Sequence, residues 1–300
     1  MKSVVTFATF NLEQNGFGCR ERREQAYALI NKVRPDVLFR QEMPGADADY
    51  HQHVREAEQA LAMVGYLGEG SRTALFVRPG LFDVLKGWPS PQPVTMSAPT
   101  ALTVQLRAAG PASTPLILVA DHLSYSTPTL RLIGAGELTR FNDKWVVLPD
   151  GTRRRGLAVA GLDANSYPSG EFLTAEPRLP RVEEIQDRPH RAHRTVLAAD
   201  GRRVMDQAPH DFLVTAGLDD VARVCAAHSP GAVAATMGPS ITHGPATRVD
   251  WVMASRHLRD AWVGGEVIDA STVSDHNIFV GRADLQILVD ILSGPLPEFG

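Results

Sequence analysis

Apolar positions along this chain recur in two periods, and the switches between them mark out its elements. Residues 3–10 alternate apolar and hydroxyl side chains through Val5, Thr6, Phe7 and Thr9, the pattern of a half-buried strand. Ala26, Leu29, Ile30 and Val33 then recur at helical spacing, predicting a helix from Glu21 to Val33 that Arg34-Pro35 stops. The short apolar run Val37-Leu38-Phe39 predicts a strand over Asp36 to Arg40. Further helical spacing is read over Tyr50 to Gly65, Leu130 to Trp145 and Asp211 to Val224. Strand patterns occur at Ala74 to Val77, Phe82 to Leu85, Thr100 to Leu106, Pro115 to Ala120, Gly156 to Leu162, Arg248 to Ala254, Ala261 to Ile268 and Ile278 to Val280.

The remaining stretches are punctuated by proline. Trp88 to Pro99 holds four prolines and is expected to lack regular structure. Residues 166–210 carry five more and a run of basic side chains, so they are expected to be an excursion near a site or a partly disordered segment. No repeat or low-complexity tract interrupts the pattern. Many strands with interspersed helices predict one layered α/β domain over residues 1–292, followed by a loose tail at 293–300.

Composition narrows the class. A 44% hydrophobic and 21% charged chain of 300 residues is that of a globular protein with a substantial core. A formal net charge of −4 gives no general basic field for nucleic acid, although a local basic rim would suffice. Cys19 and Cys225 are the only cysteines, too few for a disulfide framework or a thiolate zinc site. The N-terminus lacks the apolar core of a signal peptide and no run reaches membrane-span length, so a cytoplasmic protein without stable membrane insertion is expected.

The chemistry gathers where strand-like runs end. Asn11, Glu13, Glu42, His122, Asp163, Asn165, Asp250, Asp275 and His276 form an oxygen-rich set with two imidazoles. Hard oxygen donors suit Mg²⁺ or Mn²⁺, whereas zinc calls for more His and Cys. Phosphoester hydrolysis needs its charge neutralised, a water activated and a leaving oxygen stabilised, and the set holds a candidate for each. Each residue also has a plainer reading: Asn11 as a turn residue, Glu42 as a solvated strand end, Asp163-Ala164-Asn165 as an Asx turn, Asp275 as a cap. Asp250 is different, because an unpaired carboxylate inside the apolar Val249–Met253 run would be costly and calls for a partner.

In order, Phe10-Asn11, Gln41-Glu42, Asp121-His122-Leu123-Ser124, Asp163-Ala164-Asn165, Arg248-Val249-Asp250-Trp251 and Ser274-Asp275-His276 resemble the motifs of the endonuclease/exonuclease/phosphatase (DNase I-like) superfamily. The likeness runs from residue 7 to about 280, with two departures. Gly161-Leu162-Asp163 has one residue inserted between the family's Gly and Asp, and Asp121 stands where Thr is common. The resemblance implies a four-layered α/β/β/α sandwich of two mostly antiparallel sheets. It also implies Glu42 as the main Mg²⁺ (or Mn²⁺) ligand, with Asn11 beside it, Glu13 contributing and Asp275 supporting. His276 would be the base oriented by Asp250, while Asp163 and Asn165 position the water and His122 donates to the phosphoryl group.

The basic excursion has two readings, a clamp on phosphate through Arg188 and Arg191 or an ordinary solvated loop. His243 is expected to line the cleft. His190 and His193 have metal-ligand spacing but show no evident acidic or thiol partner, and are not read as zinc ligands. Trp88, Trp145, Trp251 and Trp262 are expected to pack in the core or an interface. The function expected is a metal-dependent phosphoesterase acting on nucleic acid or a small phosphorylated metabolite. A lipid phosphodiesterase and a catalytically silent binding member are the alternatives. A serine hydrolase is disfavoured because no Gly-x-Ser-x-Gly elbow occurs.

Overall fold

The computed structural model describes residues 3–89 and 97–296. Two parallel pairs of strands lie at its centre. Val4–Asn11 runs beside Val37–Gln41 with Asn11 opposite Gln41. Leu116–His122 runs beside Leu157–Asp163 with His122 opposite Asp163. Parallel neighbours finish on the same side, so each pair presents its polar C-terminal residues together.

Antiparallel strands extend each pair to six. One sheet runs Trp262–Ile268, Ile278–Asp284, Val4–Asn11, Val37–Gln41, Ala74–Val77, Val64–Leu67. The other runs Leu218–Asp220, Asp250–Ser255, Leu157–Asp163, Leu116–His122, Thr100–Leu106, Phe82–Trp88.

The two-residue period of the strands decides what fills each layer. Phe7, Phe39, Leu75 and Phe279 share one core between the sheets with Leu118, Val159 and Val252. Their chain neighbours Ala8, Leu38 and Phe76 face outward, with Phe10, onto the helices Arg20–Val33 and Gln52–Leu61. On the far side Ile117, Val119, Ala160 and Met253 pack with residues of Pro128–Thr139 and Ala208–Thr215. Fully burying each large apolar side chain stabilises by roughly 1.5–3 kcal/mol, so three such cores hold the four layers in the α/β/β/α order. Gly161 serves this packing: a Cβ there would lie 2.3 Å from Phe39 of the facing sheet.

Several expectations need correction. The helix read over 50–65 ends at Leu61, where Ala62 turns left-handed (φ 51°), and Val64–Leu67 becomes an edge strand. A side chain at Gly65 would meet Val54 and Phe76, so this glycine admits the strand beneath the helix. The helix read to Trp145 ends at Thr139, and Trp145 opens a small hairpin, Trp145–Val147 with Arg153–Arg155. Trp145 is there 58% exposed, whereas Trp251 and Trp262 are buried as expected. The pattern over 211–224 is broken at Gly217 (φ 82°), and the strand Leu218–Asp220 separates two helices. A C-terminal helix, Leu285–Ser293, went unread although Asp284 caps it through Gln286 and Ile287 amides. Trp88, the expected start of irregular structure running to Pro99, instead closes the strand Phe82–Trp88, and residues 90–96 lie outside the described residues. Of the tail expected at 293–300, Ser293 closes the C-terminal helix and residues 297–300 lie outside the described residues.

The excursion at 166–210 is tied down by buried ion pairs. Arg248 contacts Glu176 at 2.5 Å and Asp220 at 2.6 Å, and Arg131 contacts Asp206 at 2.8 Å. Within it lie the helix Arg188–His193 and the hairpin Thr195–Leu197 with Arg203–Met205. No helix among the described residues is long and apolar enough to cross a membrane.

Candidate active site

Both parallel pairs end at the same edge of the sandwich, and there Asn11 of one sheet reaches Asp163 of the other. Asn11 Nδ2 donates to Glu42 Oε1 at 3.0 Å and to Asp163 Oδ2 at 2.9 Å. Asp163 Oδ2 lies 3.3 Å from His122 Nε2 and 3.7 Å from His276 Nε2. His276 Nδ1 lies 2.8 Å from Asp250 Oδ2. Five predicted residues thus form one continuous series of contacts, from Glu42 through Asn11 and Asp163 to His276 and Asp250, and His122 branches from it at Asp163. Glu42 and His276, more than two hundred positions apart in the chain, share one site.

Local backbone shape places the first of these groups. Glu42 follows its strand in the left-handed region (φ 53°), and Asn165 does so after Asp163 (φ 48°). Non-glycine residues hold that conformation at a cost, and only where the surroundings fix it. At Asn165 the fixing contact is an Asx turn, its N–H donating to Asp163 Oδ1 at 2.9 Å. The turn and the functional reading therefore coexist. Asn165 Nδ2 then sits 3.0 Å from His122 Nε2.

The electrostatics follow from burial and carboxylate crowding. Burial disfavours the charged His276 ring, but Asp250 and Asp163 outweigh it and raise the imidazole to about 10. Burial pushes Asp250 up to about 6, with His276 pulling the other way. Burial also opposes ionisation of Asp163, yet His276, His122 and the Asn11 amide hold it below the usual carboxylate range. Asp121 is lifted to about 7 by burial, its Oδ1 accepting the His122 N–H.

The donor set fits a hard divalent cation. Asn11 directs its amide nitrogen at two carboxylates, which leaves Oδ1 buried without a hydrogen-bond partner. A buried, unsatisfied acceptor beside carboxylates calls for a donor or a cation. Glu42, His122 and Asp163 offer ligand atoms within 4.8 Å of one another, as do Asp163, Asp250 and His276.

The outer members of the predicted set stand at the mouth. Asp275 Oδ1 is 3.9 Å from His276 Nε2 and its side chain is 42% exposed. Burial and the neighbouring Asp275 push the Glu13 carboxyl up, opposed by Arg22 at 3.2 Å. Neither Glu13 nor Asp275 belongs to the tight ligand groups among the described residues. His243 lies close enough to be influenced by His276, and burial with Arg194 pulls it down to about 3.

The basic excursion meets the site differently from the expectation. Arg188 is exposed and Arg191 Nε donates to Ile185 O at 2.9 Å; neither touches the cluster among the described residues. Their helix instead turns its imidazoles inward: His190 packs edge-on to His243 at 5.8 Å, and His193 against His190 at 5.4 Å and Tyr125 at 6.0 Å. His190 also has an acidic partner that the sequence reading overlooked, Asp187, at 2.6 Å.

Three supporting residues were missed. Ser274 Oγ donates to Asn11 O at 2.8 Å and accepts the His276 N–H at 3.2 Å, tying His276 to the strand end at Asn11. Arg40, buried, donates to Phe10 O and Gln41 O, both at 3.0 Å, the carbonyls just before Asn11 and Glu42. Burial without a carboxylate contact lowers it to about 10. Gln14 N–H donates to Glu42 Oε2 at 2.7 Å. Ser274 carried a signal as part of the Ser274-Asp275-His276 motif and Arg40 as a charged residue closing an apolar strand run, whereas Gln14 carried none.

Comparison with known proteins agrees with this geometry. A search of the curated proteins found no match. Among solved structures, an AP endonuclease from Archaeoglobus fulgidus superposes with a TM-score of 0.61 at 14% identity, covering 94% of this chain and 100% of that one. An endonuclease/exonuclease/phosphatase family protein from Bacteroides thetaiotaomicron gives 0.59 at 14% identity, covering 94% and 98%. A mannosyl-6-phosphatase from the same organism gives 0.55 at 13% identity, covering 92% and 98%. These likenesses establish the DNase I-like fold. The sequence model of the Endonuclease/Exonuclease/phosphatase family matches residues 8–276, and the chain belongs to that family.

Proposed function

We propose that this protein is a divalent-metal-dependent phosphoesterase that hydrolyses its substrate by in-line attack of water. The observation that carries this reading is the unbroken contact series from Glu42 to Asp250, with the unsatisfied Asn11 Oδ1 inside it.

In this reading Glu42, Asn11 and Asp163 would hold Mg²⁺ or Mn²⁺, with Glu13 and Asp275 completing its surroundings. Such a cation would neutralise phosphoryl charge and stabilise the leaving oxygen. His276 accepts the water's proton at Nε2, while Asp250 at Nδ1 fixes the ring and stabilises the imidazolium. Asp250 and Asp163 favour the charged form of that ring. Positive charge beside Asp163 favours the neutral form that base catalysis requires. Asp163 and Asn165 orient the water, and His122 donates to the phosphoryl oxygens. His243 lines the cleft wall.

The relatives' names span both substrate classes that the residues allow, an AP endonuclease and a mannosyl-6-phosphatase, so identity of the ester is an experimental question. Plasmid DNA, RNA, phosphoinositide, sphingomyelin and sugar or nucleotide monoesters should be assayed side by side with Mg²⁺, Mn²⁺ or EDTA. Metal-dependent release from one class supports the reading. No hydrolysis of any class under all conditions would favour a silent binding member instead.

A further inference from the structure

Beside the cluster the site continues into a cavity of about 100 Å³ whose lining includes Glu42, His122, Arg72, Ser97, Ser124 and Tyr125. That exceeds the ~10–15 Å³ one water needs and falls well short of the ~300–1,000 Å³ pocket of a drug-sized ligand. The space suits one compact group.

Its charge pattern selects the group's sign. Glu42 is engaged by Asn11 and by Gln14. Arg72 is exposed, and its guanidinium makes no hydrogen bond or ion pair among the described residues. Its backbone, by contrast, is pinned at both groups: the carbonyl accepts from Met43 N at 2.8 Å, one residue after Glu42, and the N–H donates to Ser97 Oγ at 3.0 Å. A cation anchored next to the metal side and left unpartnered over a small cavity is arranged to meet an anion.

We infer that Arg72 is a specificity residue: it holds a second compact anionic group, phosphate or carboxylate, that the substrate carries next to the scissile phosphate. The inference rests on the phosphoesterase reading for the position of the scissile group. Two sources supply such an anion, the adjoining phosphate of a nucleic-acid strand or the second phosphate of a small bisphosphate.

The test uses substrate pairs differing only in that group: a dinucleotide with and without a 5′-phosphate, and a sugar bisphosphate against its monophosphate, with Mg²⁺. Wild-type protein should favour the doubly anionic member of one pair by about tenfold in KM, the scale of one hydrogen bond to a charged group. Arg72→Ala should erase that preference with kcat nearly unchanged, and Arg72→Lys should keep part of it. The pair affected identifies the source. No preference in the wild type, or equal losses on both members in Arg72→Ala, would overturn the inference. Calorimetric titration of the same compounds into His276→Ala and His276→Ala/Arg72→Ala proteins repeats the comparison without turnover. A missing turnover in the wild type therefore counts against the phosphoesterase reading, while equal affinities across a pair count against Arg72.

Discussion

Asn11, at the end of a strand in one sheet, donates at 2.9 Å to Asp163, at the end of a strand in the other. The same nitrogen reaches Glu42, and the oxygen on the other arm of the amide is buried without a hydrogen-bond partner. A neutral amide thus joins two carboxylates that would otherwise repel across the sandwich. The arrangement makes sense if a cation supplies the missing charge.

Removing those donors should therefore show directly in metal affinity. Glu42→Gln and Asn11→Ala should each weaken Mn²⁺ binding at least about tenfold, on the scale of perturbed metal sites. Calorimetric titration of metal-free protein measures this. Unchanged affinity in both variants would place the cation elsewhere.

Arg40 tests whether the strand ends need positioning. Arg40→Met removes donors to Phe10 O and Gln41 O while keeping an apolar stem. Turnover should fall about 10- to 100-fold with the circular dichroism spectrum retained. Wild-type turnover would reduce Arg40 to a packing role.

Much of this site was legible in the sequence because strands end abruptly: an apolar run followed by Asn11, Glu42, His122 or Asp163 marks a sheet edge whatever the topology. Asp250 was legible for another reason, since a carboxylate inside an apolar run requires a partner. Gln14 and Arg72 were not legible. Their roles depend on which distant groups they meet, and glutamine and arginine are ordinary loop residues until the chain folds. The misread helix over 50–65 fails for a similar reason. Val64 fits the helical face of Val54, Ala57 and Leu61, and only the approach of Val54 and Phe76 to Gly65 shows why a strand is formed there. Arg188 and Arg191 show the limit of a basic run as a signal: it left a phosphate clamp and a solvated loop both open, and only the fold shows that His190 of the same helix packs against His243.

The excursion's anchor should be costly to cut. Glu176 pairs with the buried Arg248 and with Arg223. Glu176→Gln leaves buried guanidinium charge undercompensated and should destabilise by about 3 kcal/mol in urea unfolding. A loss below about 0.5 kcal/mol, the range of ordinary surface changes, would contradict that role.

The same network sets an acid limb. Burial opposes ionisation of Asp220, but Arg248 and His210 overcome it and hold the carboxyl below its usual value of 3.8. A depressed carboxylate contributes stability that is present above the unfolded-state value and lost as pH falls through the folded one. Between pH 4 and 2 the wild type should therefore lose stability faster than Asp220→Asn, by up to about 1.4 kcal/mol per pH unit. Parallel slopes for the two proteins would remove Asp220 from the account.

The most direct measurement is metal-dependent turnover by His276→Ala, on whichever ester the wild-type protein hydrolyses. His276 Nδ1 lies 2.8 Å from Asp250 and Nε2 lies 3.7 Å from Asp163, the two contacts on which the proposed role of base rests. Loss of a positioned base should cut kcat by about 10²–10⁴-fold with folding intact, while EDTA abolishes the wild-type rate and Mg²⁺ or Mn²⁺ restores it. A His276→Ala protein that turns over within a few-fold of wild type would contradict the mechanism at its centre.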